Sequence, residues 1–234
     1  MTMTYPPNDD LAQLMRDTAE DDQIVGRRFA VLDAASITFG RMADVLQTSG
    51  WISRDEKELA AALLIRLASE LSGGIYTLAK GSHLYAVGAL LRQLIEIEYL
   101  LFLGYVDPAN LQLWYEADAP KLRKIFSPQQ MRKSADGLFR DKEYWLHCEM
   151  GGHPHPTRSR ILLSAYTFPV PPIAFSLPDT VQHLRRLWTS VKLLLPKLNI
   201  GEIALSESSH LSETIAQWEK IENPTLLALD GIPT

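Results

Sequence analysis

The sequence predicts an all-α fold, a single-domain bundle of about six to eight helices with one long proline-rich loop. Three observations predict it. Apolar residues recur at spacings of three and four along most of the chain, and no strand-type alternation persists. Helix start and stop signals punctuate those stretches. The segment from Ser82 to Tyr105 is apolar on every side, which suits a helix buried nearly all round at the centre of a bundle.

Taken in order, residues 1–20 contain Tyr5-Pro6-Pro7 and several acidic positions, and are expected to form a flexible lead-in. Residues 21–222 are expected to form the bundle, and residues 223–234, opening with Asn223-Pro224, a tail. Helical periodicity runs over 21–47, where Thr48-Ser49-Gly50 should stop it. Ser53-Arg54-Asp55-Glu56 reads as a capping box opening the next helix, which Gly73-Gly74 should kink. Lys80-Gly81 should end it, with glycine in the left-handed cap. Ser82 then caps the central helix, which Gly104 and Asp107-Pro108 close. Further helices are predicted over 110–119, from Pro120 through Phe126, from Pro128 after Ser127, and over 139–150. Residues 151–176 hold the proline-rich loop. Ser176-Leu177-Pro178-Asp179 should start a helix reaching about Leu195, and Ile200 to Ile221 the last one.

A net charge of −5 gives no general attraction to nucleic acid or to anionic membrane. The charge is uneven: residues 121–142 carry seven Lys or Arg against two Asp, the one local basic surface. A single cysteine, Cys148, excludes an intrachain disulfide and fits a reducing compartment. The first residues lack the basic and apolar regions of a signal peptide. Leu84 to Val106 is long enough to span a bilayer, but Arg92, Glu96 and Glu98 near its middle argue against that. The expectation is a cytoplasmic protein with no membrane partner.

Within the central helix, Arg92 and Glu96 are four apart and share a face with Tyr85, Gly88 and Tyr99. Buried charges must be paired. Two readings stand: a structural ion pair that sets helix register, and a polar site in the bundle core.

The richest stretch is Arg140 to His155. Arg140 and His147 are seven apart, close to two full turns, so both leave one helical face with Glu143 and Tyr144 on or near it. Histidine exchanges a proton near neutral pH, and arginine holds a phosphate through parallel hydrogen bonds. This is minimal equipment for phosphodiester cleavage by a ribose 2′-hydroxyl. The structural alternatives are a solvated Arg140, a core-edge His147 packed beside Trp145, and His153 and His155 as loop residues bonding backbone carbonyls.

Arg140-Asp141 followed by His147 resembles the Arg-polar-spacer-His motif of the HEPN superfamily of helical bundles. Many of its members are metal-independent ribonucleases of toxin–antitoxin and phage-defence systems, and they commonly act as dimers. The resemblance implies catalytic roles for Arg140 and His147, with Tyr144 orienting one of them. A second resemblance is to bacterial helical-bundle domains of unknown function, carried by Arg92-x3-Glu96, Tyr144-Trp-Leu-His147 and His153-Pro154. It implies a core polar site of Arg92, Glu96 and His153. The two resemblances leave open which histidine matters.

No cofactor and no metal site are expected. His147 and Cys148 are adjacent on a helix and diverge. His153-Pro-His155, with Glu149 or His183, lacks a recognised zinc spacing. No phosphate-binding glycine loop, nucleophile elbow or Cys–His pair is present. Arg185-Arg186 and Lys192 read as a solvated basic patch. The functional expectation is a HEPN-like endoribonuclease acting on RNA, forming a homodimer and meeting a partner such as an antitoxin. The alternative is a non-catalytic bundle that binds a partner protein or a small ligand in its core.

Overall fold

The computed structural model describes residues 21–135, 139, 144, 145, 147, 148, 173–222 and 224. Among the described residues there are nine α-helices, one 3-10 turn and no strand, so the all-α bundle stands with slightly more helices than expected. They are α1 (Asp22–Ser53), α2 (Glu56–Lys80), α3 (Leu84–Val106), α4 (Ala109–Tyr115), α5 (Ala119–Ile125), α6 (Pro128–Ser134), α7 (Ile173–Leu194), α8 (Gly201–Ser206) and α9 (Ser209–Glu219).

The long helices α1, α2, α3 and α7 build the core. α1 lies along α2, α3 packs on both α2 and α7, and α9 closes against α1. Leu32, Phe39, Met42 and Leu46 of α1 are fully buried, as are Ile65 and Ile75 of α2 and Leu94 and Ile95 of α3. Trp188 of α7 packs its ring 6.2 Å from that of Phe39. Aromatic side chains of this size each remove about 150–250 Å² from water and dominate such a core.

The helix ends depart from the sequence expectation in instructive ways. α1 runs past Gly50 to Ser53, and the left-handed residue that stops it is Arg54, at φ 55°. Gly50 serves close packing instead: a Cβ there would sit 2.9 Å from the Leu59 side chain. Thr48 and Ser53 return their hydroxyls to the carbonyls of Asp44 and Ser49, so the helix continues through Thr48 and closes at Ser53. Asp55, not Ser53, caps α2, accepting from the N–H groups of Lys57 and Glu58.

α2 is unbroken at Gly73-Gly74. Those glycines let neighbours approach, since added Cβ atoms would meet Ser36 Oγ at 2.8 Å and Leu90 Cδ1 at 3.0 Å. After α2 the left-handed residue is Ser82 at φ 58°, while Gly81 sits at φ −85°. Ser82 therefore does not cap α3; His83 takes that position without a side-chain bond. α3 continues past Gly104 to Val106, and Gly104 admits Leu111 of α4.

α7 begins at Ile173, three residues before the expected start, and carries Pro178 inside it. A proline so near the start forfeits a single backbone bond within the first turns. The expected last helix is two, α8 and α9, parted by turn residues 207–208. Of the loop predicted over 151–176, residues 151–172 lie outside the described residues and 173–176 belong to α7 instead. By length and composition α2 is apolar enough to cross a bilayer, and half of its most apolar window is buried within the bundle.

Arg28 and Glu222 join the beginning of α1 to the segment after α9. Two parallel bonds of 2.8 and 2.9 Å link them, and Trp218 Nε1 donates to the same carboxylate at 2.8 Å. Arg28 is fully buried and Glu222 nearly so.

Candidate functional site

Three side chains of α7 converge because of their spacing. Asp179, His183 and Arg186 fall at i, i+4 and i+7 and so share one face of the helix. That face meets α3 at Glu98. His183 Nδ1 lies 2.7 Å from Glu98 Oε2, and Arg186 Nε lies 3.0 Å from Glu98 Oε1. Arg186 Nη2 also lies 2.6 Å from His183 Nδ1, so the guanidinium, the carboxylate and the imidazole form one buried cluster.

His147 completes it from the other side. Its Nε2 is 3.3 Å from His183 Nε2, with the rings 5.1 Å apart and nearly perpendicular. Asp179 faces both histidines, Oδ2 at 3.6 Å from His147 Nε2 and Oδ1 at 3.7 Å from His183 Nε2. His147, His183, Glu98 and Arg186 are buried, whereas the Asp179 side chain is 34% exposed. Among the described residues, the partly open edge of the cluster is therefore a carboxylate.

Either proton placement on His183 leaves one Nδ1 contact unmatched, because Glu98 at 2.7 Å needs a donor there and Arg186 Nη2 at 2.6 Å needs an acceptor. With the proton on His183 Nδ1, Glu98 accepts it and the Nε2 lone pair faces His147 and Asp179. With Nδ1 bare, it accepts from Arg186, and Nε2–H points at His147. The Glu98 carboxylate orients the ring only when the proton is on Nδ1.

A second polar group lies further along α3. The Tyr144 hydroxyl donates to Glu96 Oε1 at 2.9 Å and accepts from Arg92 Nη2 at 3.4 Å; Arg92 and Glu96 themselves approach to 3.4 Å. The Arg132 guanidinium sits 4.2 Å from the Tyr144 ring centre, and Phe139 and Tyr99 stack nearby at 4.1 Å. Burial, then the Glu96 carboxylate, push the Tyr144 phenol well above its ordinary value, so it is a hydrogen-bond donor and not an anion. Arg92 and Glu96 are about one-third exposed, a partly wetted pair rather than a sealed one.

Of the expected site residues, the structure brings Arg92, Glu96 and Tyr144 together and sets His147 among different partners. The His147 ring packs on His183, not beside Trp145, whose side chain is largely exposed. Arg140 and His153 lie outside the described residues, as do Glu149 and His155. The solvated patch expected at Arg185-Arg186 is overturned: Arg186 is buried against Glu98, and Arg185 pairs with Glu219 at 2.5 Å. The basic stretch is exposed at Lys121, Arg123, Lys124 and Lys133, but Arg132 is buried beneath Tyr144.

Sequence reasoning did not place Glu98, Asp179 or Arg186 in a site, and treated His183 only as a spare ligand. A signal was present in the Asp-x3-His-x2-Arg spacing of α7. What the spacing lacked was a partner, because Glu98 stands 85 residues before His183 and meets it only through packing of α7 on α3.

No family model matches the chain, and neither curated proteins nor solved structures supply a match.

Proposed function

We propose that the protein is a non-catalytic helical bundle that binds a small ligand in its core, at His147, Asp179 and His183. The observation that carries this reading is the convergence of two buried imidazoles on one point, with a partly exposed carboxylate as the open edge. Sites for small ligands are concave, mostly apolar and furnished with a few convergent polar groups. An RNA backbone needs a wetted groove, and the described surroundings of the histidines are the packed faces of α3 and α7. Buried ionisable clusters of this kind concentrate at functional positions.

The second reading is the HEPN-like, metal-independent endoribonuclease of a toxin–antitoxin or phage-defence system. A specific feature supports it: His147 stands beside another histidine that a carboxylate orients, a pairing suited to general acid–base work.

Two measurements separate them. The full chain and His147→Ala are incubated with mixed RNA, in EDTA and with magnesium. The small-ligand reading expects no cleavage that depends on His147; cleavage lost in the variant would overturn it in favour of the ribonuclease. The native protein is also treated with diethylpyrocarbonate, a small electrophile that acylates imidazole. His147 and His183 should react more slowly than the exposed His210, yet before unfolding. If neither reacts until the fold is lost, small solutes do not reach the cluster and the reading is wrong.

A further inference from the structure

We infer that His147, Asp179 and His183 form a binding site for a divalent transition metal of the zinc class. This rests on the small-ligand reading and names the ligand. Three donors from two parts of the chain point at one another: Nε2 to Nε2 is 3.3 Å, and the Asp179 oxygens lie 3.6 and 3.7 Å from the two rings. A tetrahedral ion with bonds of about 2.0–2.1 Å holds its ligand atoms roughly 3.4 Å apart. The imidazole–imidazole edge matches that spacing. The two Asp179 edges run to different oxygens, and one donor atom from each residue lies within 4.8 Å of the others, so the Asp179 carboxylate must shift to bring a single oxygen onto the ion.

The carboxylates around the donors suit a metal, while Arg186 Nη2, 2.6 Å from His183 Nδ1 and 3.2 Å from Nε2, has to swing away from the ring when an ion binds. A ligating histidine commonly gives its other ring N–H to a carboxylate, which fixes the tautomer and strengthens the donor. Glu98 stands at 2.7 Å from His183 Nδ1, in that position. Among the described residues, two carboxylates, Glu98 and Asp179, face the Arg186 guanidinium within the cluster. Their summed charge is −1, which a dication offsets. The donor set selects among ions: magnesium and calcium favour all-oxygen shells, while paired imidazoles with one carboxylate favour zinc, iron or cobalt. Metal binding at Nε2 also settles the two proton placements, keeping the His183 proton on Nδ1 towards Glu98.

The test uses the full chain, stripped with EDTA and freed of chelator. Zn²⁺ is titrated calorimetrically, and Co²⁺ by its visible absorption, which distinguishes four- or five-coordinate sites from six-coordinate ones. One ion per chain is expected, with intense visible cobalt bands, proton release on binding and protection of both histidines from diethylpyrocarbonate. Asp179→Asn is the deciding variant, because it is isosteric and partly exposed and leaves the core intact; it should weaken binding by tenfold or more. Glu98→Gln should weaken it about 10- to 100-fold. His147→Ala should abolish stoichiometric binding.

Binding well below one equivalent overturns the assignment, as does binding that Asp179→Asn and His147→Ala leave unchanged. If the histidines react with diethylpyrocarbonate but no ion binds, the metal falls and the small-ligand reading survives. If the histidines do not react and no ion binds, both fall.

Discussion

Glu98 of α3 and His183 of α7 meet across the bundle with Oε2 2.7 Å from Nδ1, and each side chain is only 1% exposed. Arg186 shares the same carboxylate at 3.0 Å. The pair therefore ties the two core helices together and holds the ring whose other nitrogen faces His147.

Removing one charge of this cluster should cost more than removing two. Glu98→Leu removes the carboxylate that faces both Arg186 and His183 and should lower stability by about 3–5 kcal/mol. Glu98→Leu combined with Arg186→Leu replaces the ion pair by packing, and should lie well below the sum of the two single changes. Urea midpoints of the four proteins provide the cycle. Additive losses would show that Glu98 and Arg186 are not coupled.

Arg28 and Glu222 form a second buried ion pair, between α1 and the segment after α9. Arg28 holds Glu222 through two bonds and is fully buried. Glu222→Ala should destabilise by about 3–5 kcal/mol, because Arg28 keeps its charge away from water without its anion. Arg28→Lys should not be neutral either, since an ammonium cannot reproduce the two parallel bonds. Denaturant unfolding followed by Trp218 fluorescence reads both, as its indole donates to Glu222.

Tyr144 predicts a dependence on alkaline pH. Its phenol is raised above the ordinary value, first by burial and then by the Glu96 carboxylate. An unfolded tyrosine loses its proton near pH 10, while the folded one keeps it. Above that pH the unfolded state binds fewer protons, so stability falls as pH rises. The contribution is thus complete below about pH 10 and is lost above it. Tyr144→Phe should cost about 1 kcal/mol at neutral pH, through the lost bond to Glu96. Its urea midpoint should then fall less steeply than the parent's between pH 9 and pH 11. Parallel curves would show that Tyr144 titrates normally.

Much of the fold was legible because helix formation is local. The apolar periodicity of α1, α2 and α3 and the proline signals before α5 and α6 could be read within a few residues of each element. The errors cluster where a small residue answered to a neighbour from elsewhere. Gly50, Gly73, Gly74 and Gly104 look like stops or kinks in one dimension, but they are contact points for Leu59, Ser36, Leu90 and Leu111. Among the described residues, the left-handed turns fell to Arg54 and Ser82 instead of a glycine.

The site divides in the same way. The Arg92–Glu96 pair lies within one helix turn, and spacing alone exposed it. The companionship of Glu98, His147, Asp179, His183 and Arg186 spans 89 positions and three segments.

By itself, then, the sequence determined that this chain is helical, which helices are most apolar and that charged groups must sit inside the central one. Only the tertiary structure decided which charges meet. Helical periodicity is a property of neighbours along the chain. The pairing of Glu98 with His183 and of His147 with Asp179 follows from the packing of helices that the chain reaches far apart.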